Sequence, residues 1–224
     1  MSFKGIVRID VIILLSASVR ADTVSGDAGG AFWSWSAANL DEDGKPYWDT
    51  TSFDGVHESI GFLLTGGSPT PLPGEPGAIA FFGLSYNTGT DTGGGAVGNF
   101  FFNRTAPQSQ AMLKLEISAR SGVNEFGWYD NAIPGVLNPL FSGSATAGAQ
   151  TTVVPSAQYG FYIRTLGAAV YRTQSSLNPL AEQYHQHFTV FQESAVPGAE
   201  IYWLGIEDLS LTELDGGEGG VGDY

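Results

Sequence analysis

No cysteine occurs in the 224 residues, which excludes disulfides, zinc ribbons and thiol catalysis together. Charge is scarce: Asp, Glu, Lys and Arg make up 14% of the chain, against about 25% in an average soluble protein. The polar surface therefore has to come from Ser, Thr, Asn, Gln and backbone. Basic residues are scarcer still. Nine Lys and Arg face 23 Asp and Glu, a formal net charge of −14. Such a chain repels phosphate backbones, which argues against nucleic acid as a partner. No segment reaches the ~20 consecutive apolar residues of a transmembrane span. Catalytic signatures are missing too: there is no Gly-x-Ser-x-Gly elbow, phosphate loop or HExxH. The sequence therefore predicts a protein that is not an enzyme. A secreted glycan-active hydrolase, which needs two carboxylates at a defined separation, ranks as the third reading.

What is present points to an all-β chain. Gly (31) and Pro (11) are frequent, 42% of residues are hydrophobic and 12% are aromatic, which suits half-buried pleated surfaces broken by turns. Short apolar runs recur at Ala31–Trp35, Ile60–Leu64, Ala78–Tyr86 and Asn99–Asn103. Residues 112–119 alternate cleanly, Leu113, Leu115 and Ile117 against Lys114, Glu116 and Ser118, the pattern of a half-buried antiparallel strand. The series continues at Glu125–Tyr129, Gln158–Arg164, Ala168–Thr173, His185–Gln192 and Glu200–Ile206. Strands near ten-residue spacing with Gly, Pro and Asn turns predict an antiparallel β-sandwich, jelly-roll-like. Only Ser175–Gln183 admits a helical turn. No linker or repeat divides residues 22–224, which are expected to form one domain.

Residues 1–21 read as an export leader. Lys4 and Arg8 precede the apolar run Val11-Ile12-Ile13-Leu14-Leu15, and Val19-Arg20-Ala21 puts small residues where a signal peptidase reads. Asp10 interrupts the pattern. The competing reading of the same residues is a buried N-terminal strand. Export without cysteine points to an extracellular or cell-surface protein of bacterial type, stabilised by its core and by metal.

The acidic residues nominate calcium sites. In Asn39-Leu40-Asp41-Glu42-Asp43-Gly44, oxygen ligands at alternate positions converge and the glycine permits a sharp turn. A bidentate Glu at the twelfth position is absent, since Thr50 stands there and Asp49 one earlier. Glu207, Asp208, Asp215 and Asp223 form a second acidic group. Each has a plain alternative as a solvated acidic turn. His185 and His187 share one strand face and could hold zinc or copper with Glu182 or His57. Trp33, Trp35 and Trp48 form a candidate glycan-stacking platform, with core packing as the competing role. Asn103-Arg104-Thr105 has the form of a glycosylation sequon.

From about residue 113 onward five blocks occur in order. They are Asn124-Glu125-Phe126-Gly127-Trp128-Tyr129-Asp130, Leu140-Phe141-Ser142-Gly143 and Tyr159-Gly160-Phe161-Tyr162-Ile163. Then come Tyr171-Arg172-Thr173-Gln174-Ser175-Ser176-Leu177-Asn178 and Gly205-Ile206-Glu207-Asp208-Leu209, with Gly222-Asp223-Tyr224 after them. This order resembles exported bacterial proteins that often carry a sorting anchor of the PEP-CTERM type and are related to the DUF4114 domain. The resemblance implies a β-sandwich, a surface or matrix role, and a calcium-type acidic motif near the end. Family members continue past Asp-Tyr into Asn-Asp and a last β-strand, whereas this sequence stops at Tyr224. Either the sequence is a fragment or the last strand is supplied from elsewhere, for example by the N-terminal segment of a neighbouring subunit adding to the open sheet. The expected function is an extracellular structural or adhesive protein that self-associates into filaments or a surface layer. The alternative is a carbohydrate-binding module with glycan partners.

Overall fold

The chain folds as two antiparallel sheets packed face to face, seen in a computed structural model. It describes residues 11–16, 22–26, 33–34, 84–87, 100–116, 122–165, 169–183, 187–193, 201–206 and 208. One sheet joins β1 (Val11–Ser16), β3 (Trp33–Ser34), β4 (Leu84–Asn87), β6 (Ser109–Glu116), β9 (Gln150–Val153), β12 (Phe188–Glu193) and β13 (Ile201–Ile206). Its order is β3-β4-β12-β13-β1-β6-β9. The other joins β2 (Thr23–Gly26), β5 (Phe100–Asn103), β7 (Glu125–Asp130), β8 (Leu137–Ser142) and β10 (Gln158–Arg164) in the order β2-β5-β10-β7-β8, with β11 (Val170–Arg172) paired to β10.

Alternation places the core. Side chains two apart share a sheet face, and the buried residues follow that period: Phe100 and Phe102, Ala111 and Leu113, Tyr159, Phe161 and Ile163, Tyr202, Leu204 and Ile206. Phe102 sits at the centre. Its ring packs on Tyr159 (5.4 Å) and Phe161 (5.2 Å) of its own sheet and edge-on to Tyr202 (5.4 Å) of the facing sheet. Such aromatic pairs contribute about 0.5–1.5 kcal/mol each beyond burial of their area.

Several expectations land on observed strands. Gln158–Arg164 is β10 at the same bounds, and the alternating stretch from Met112 lies in β6, which begins earlier at Ser109. The expected helical turn resolves into two short 3-10 turns, Ser175–Leu177 and Leu180–Glu182. Three strands escape the sequence reading, β2, β8 and β9. β9 lies in a Ser/Thr stretch that reads as loop, and β8 carries Pro139. Proline lacks the amide a central ladder requires, but among the described residues β8 ends its sheet. The pairing of β8 with β7 also shifts register beside that proline, from Phe126↔Phe141 to Gly127↔Pro139. Ile60–Leu64 lies outside the described residues.

The N-terminal apolar run is β1. Its residues pair with β13 from Ile13↔Leu204 to Ser16↔Ile201 and with β6 from Val11↔Glu116 to Ser16↔Gln110. A run without alternation suits a strand covered on both faces. It equally suits the hydrophobic stretch of a leader, so the sequence supports both readings.

Candidate functional site

Buried polar groups join the sheets at both ends. At one end, β12 begins opposite the end of β13, with Phe188↔Ile206 in register. His187, just before β12, is buried and its Nε2 lies 3.3 Å from Glu182 Oε2. Its imidazole stacks on Tyr171 of β11 at 3.6 Å and 4°. Nearby in the topology, Asn124, just before β7, donates Nδ2–H to Asp208 Oδ2 at 2.7 Å. Both contacts tie one sheet to the other. The His187 side chain has no exposed surface and that of Glu182 is 8% exposed. The pair thus ties the start of β12 to the turn that follows β11.

The opposite end centres on Asp22, which is 3% exposed. Its Oδ1 accepts from the amides of Thr105 (2.8 Å) and Ala106 (3.3 Å). Its Oδ2 accepts from the hydroxyls of Tyr159 (2.6 Å) and Ser109 (3.3 Å). Tyr202 Oη donates to the Asp22 carbonyl at 2.6 Å. These partners are all neutral, and they belong to the β5–β6 connection, β6, β10 and β13. A buried carboxylate is tolerated when its lone pairs are filled this way. Burial, followed by the negative charge of Asp22, pushes the Tyr159 phenol well above its ordinary value. The hydroxyl therefore stays protonated and keeps donating.

On the outer face of the smaller sheet two tyrosines lie over glycines. Tyr129 stands opposite Gly160 and Tyr162 opposite Gly127 across the β7–β10 pair. A Cβ at Gly160 would run into the Tyr129 hydroxyl and Thr173 Oγ1, and one at Gly127 into the Asn138 carbonyl and the Tyr162 ring. Tyr129 Oη donates to Gln174 Oε1 (3.0 Å) and the Arg172 guanidinium lies 5.8 Å from its ring centre. Burial raises the Tyr129 phenol to about 12. Tyr162 Oη donates to Glu125 Oε1 (2.8 Å), which also pairs with Arg164 Nη1 (3.0 Å). The sequence blocks 124–130 and 159–163 are thus the two halves of one interlocked strand pair.

Of the sequence-nominated calcium ligands, Asp208 is described: it is fully buried beyond the end of β13 and holds Asn124. Asn39, Asp41, Asp43, Asp49, Glu207, Asp215 and Asp223 lie outside the described residues. Among the described residues, no three His, Asp or Glu side chains converge on a common point. Trp33 falls in β3, in register with Tyr86 of β4, at one end of the larger sheet's described order. Trp35 and Trp48 lie outside the described residues, as do His57 and His185. Glu182 and His187, two of the residues nominated for zinc or copper, lie 3.3 Å apart. The sequon residue Asn103 is engaged at both amide atoms, Nδ2 donating to Ser25 Oγ (2.7 Å) and Oδ1 accepting from Gln158 Nε2 (2.9 Å).

Asp22 escaped sequence reasoning. Its only mark is that it follows Ala21, where the leader was expected to end. Nothing in its neighbourhood forecasts partners at residues 105, 109, 159 and 202. Comparison with protein-family models, with curated proteins and with solved structures finds no match for this chain.

Proposed function

We propose that this chain is an extracellular structural or adhesive β-sandwich protein, jelly-roll-like, whose copies associate by strand complementation into filaments or a surface layer. The observation that supports it is β1. The apolar segment that reads as an export leader occupies an interior position of the larger sheet, between β6 and β13. Both neighbours run antiparallel to β1 and so run parallel to each other. Without β1 they would leave two open backbone edges inside the sheet, a template for any strand of matching chemistry. In this reading the N-terminal segment directs export and is retained as a strand. The resemblance to exported surface and matrix proteins agrees with it.

Size measurement over a concentration series and electron microscopy of the native material test this reading. Filaments or layers are the expected result. A monomer at every concentration, with no ordered particles, overturns it. Calcium is the ion this role would recruit, through Asn39, Asp41, Asp43 and Asp49 or through Glu207, Asp208, Asp215 and Asp223. Binding to the folded chain would raise its melting temperature with calcium concentration. The second reading, a carbohydrate-binding module, draws on Trp33 paired with Tyr86 at the end of the larger sheet. It requires glycan-array binding that is lost on Trp33→Ala or Trp48→Ala.

A further inference from the structure

We infer that β1 is an exchangeable element, with Val11–Ser16 of one copy seated between β6 and β13 of a second copy. The inference rests on the assembly reading above and names its partner and its joint.

The slot has defined chemistry. It takes one extended segment, antiparallel to both flanking strands, over a ladder running from Val11↔Glu116 to Ser16↔Gln110 on one side. A register shift between Ile12 and Ile13 against β6 fixes the seating, since a bulge cannot slide without breaking pairs. The slot cannot close by itself. Its walls stand about two strand spacings apart, ~9–10 Å, and they are parallel to each other, so joining them would need a new register and a shift of half the sheet.

The rest of the fold does not depend on which copy supplies the strand. Asp22 fixes the start of β2 through Thr105, Ala106, Ser109, Tyr159 and Tyr202, and β1 contributes none of those contacts. Among the described residues, none near β1 in sequence pairs with it. Its neighbours are β6 and β13, far along the chain. The same strand makes the same pairs in its own slot or in a neighbour's, so the two arrangements differ mainly in the entropy of association, and concentration tips the balance. The six steps from Ser16 to Asp22 span at most about 20 Å, which requires the two bodies to lie close together at the joint. Reciprocal exchange closes a two-fold dimer. Onward donation gives an open filament.

The absence of cysteine makes a clean test. Ser16 and Gln110 are cross-strand partners, Gln110 is exposed, and both substitutions to cysteine are mild. Full-length Ser16→Cys and Gln110→Cys chains are refolded together, oxidised gently and resolved without reductant. Each variant alone serves as the control for linkage of like to like. The expected product is a mixed disulfide between the two chains, rising about in proportion to concentration while it is the minor species. Leu14→Cys with Met112→Cys, a pair two steps along the same ladder, repeats the test if the first pair folds poorly. A doubly substituted chain linking only within itself at all concentrations, with no mixed product, overturns the inference. If unsubstituted chains still form filaments in that case, the assembly reading stands and the donor strand is wrong. If they stay monomeric, both fall.

Discussion

Replacing Asp22 by alanine removes a carboxylate that holds both sheets, and the loss can be built up from its bonds. Tyr159 Oη at 2.6 Å is the strongest donor, and a hydrogen bond to a charged group contributes about 1.5–3 kcal/mol. The Ala106 amide and Ser109 hydroxyl are longer, 3.3 Å each, and are assigned about 0.5–1 kcal/mol apiece. Thr105 is exposed, so its contribution is left out. The backbone bond from Tyr202 survives the substitution. The expected destabilisation is about 3–4 kcal/mol, in line with breaking a buried polar network. For a chain of this size that is a fall of roughly 10 °C in melting temperature. Asp22→Asn keeps an acceptor for the amides and can donate to the Tyr159 oxygen, so its loss is about 1 kcal/mol. Urea unfolding followed by tryptophan fluorescence measures all three chains, and Asp22→Ala combined with Tyr159→Phe closes a cycle. The pair should couple by more than about 1 kcal/mol. An Asp22→Ala loss below about 1 kcal/mol, or strict additivity in the cycle, would refute the assignment of Asp22 as the tie.

Alkaline pH should unfold the protein before its buried tyrosines ionise. Tyr129 is raised to about 12 and Tyr159 well above the ordinary 10. Above pH 10 the unfolded chain sheds protons that the folded chain keeps, so stability is whole below pH 10 and falls as pH rises toward 12. The slope is about −1.4 kcal/mol per pH unit for each of these tyrosines. Tyrosinate absorbance that grows while circular dichroism stays native would contradict this. Gly160→Ala, which drives a methyl against the Tyr129 hydroxyl, should lose about 1–3 kcal/mol. Gly127→Ala should lose more, because the Asn138 carbonyl it meets is backbone and cannot rotate away. A melting temperature unchanged by either substitution counts against the interlocked tyrosine–glycine pairs.

Local pattern alone determined the class of this fold and most of its later strands. Alternation at residues 112–119 and the aromatic runs at 100–102 and 159–163 need no distant information, because period two is a property of the strand itself. The sequence also carried both readings of Val11–Leu15, leader and buried strand, since an apolar run satisfies a membrane-targeting machine and a doubly covered strand alike. Tertiary structure decided the rest. It seated that run between β6 and β13, placed Pro139 on the strand that ends its sheet's described order, and made a strand of the polar stretch Gln150–Val153 by pairing it with β6. It also made Asp22 the meeting point of four distant segments and buried Asp208 as an acceptor for Asn124. Those outcomes depend on contacts between segments distant in the chain, 84 residues apart for Asn124 and Asp208 and 180 for Asp22 and Tyr202, and such pairings leave no period in the chain to read.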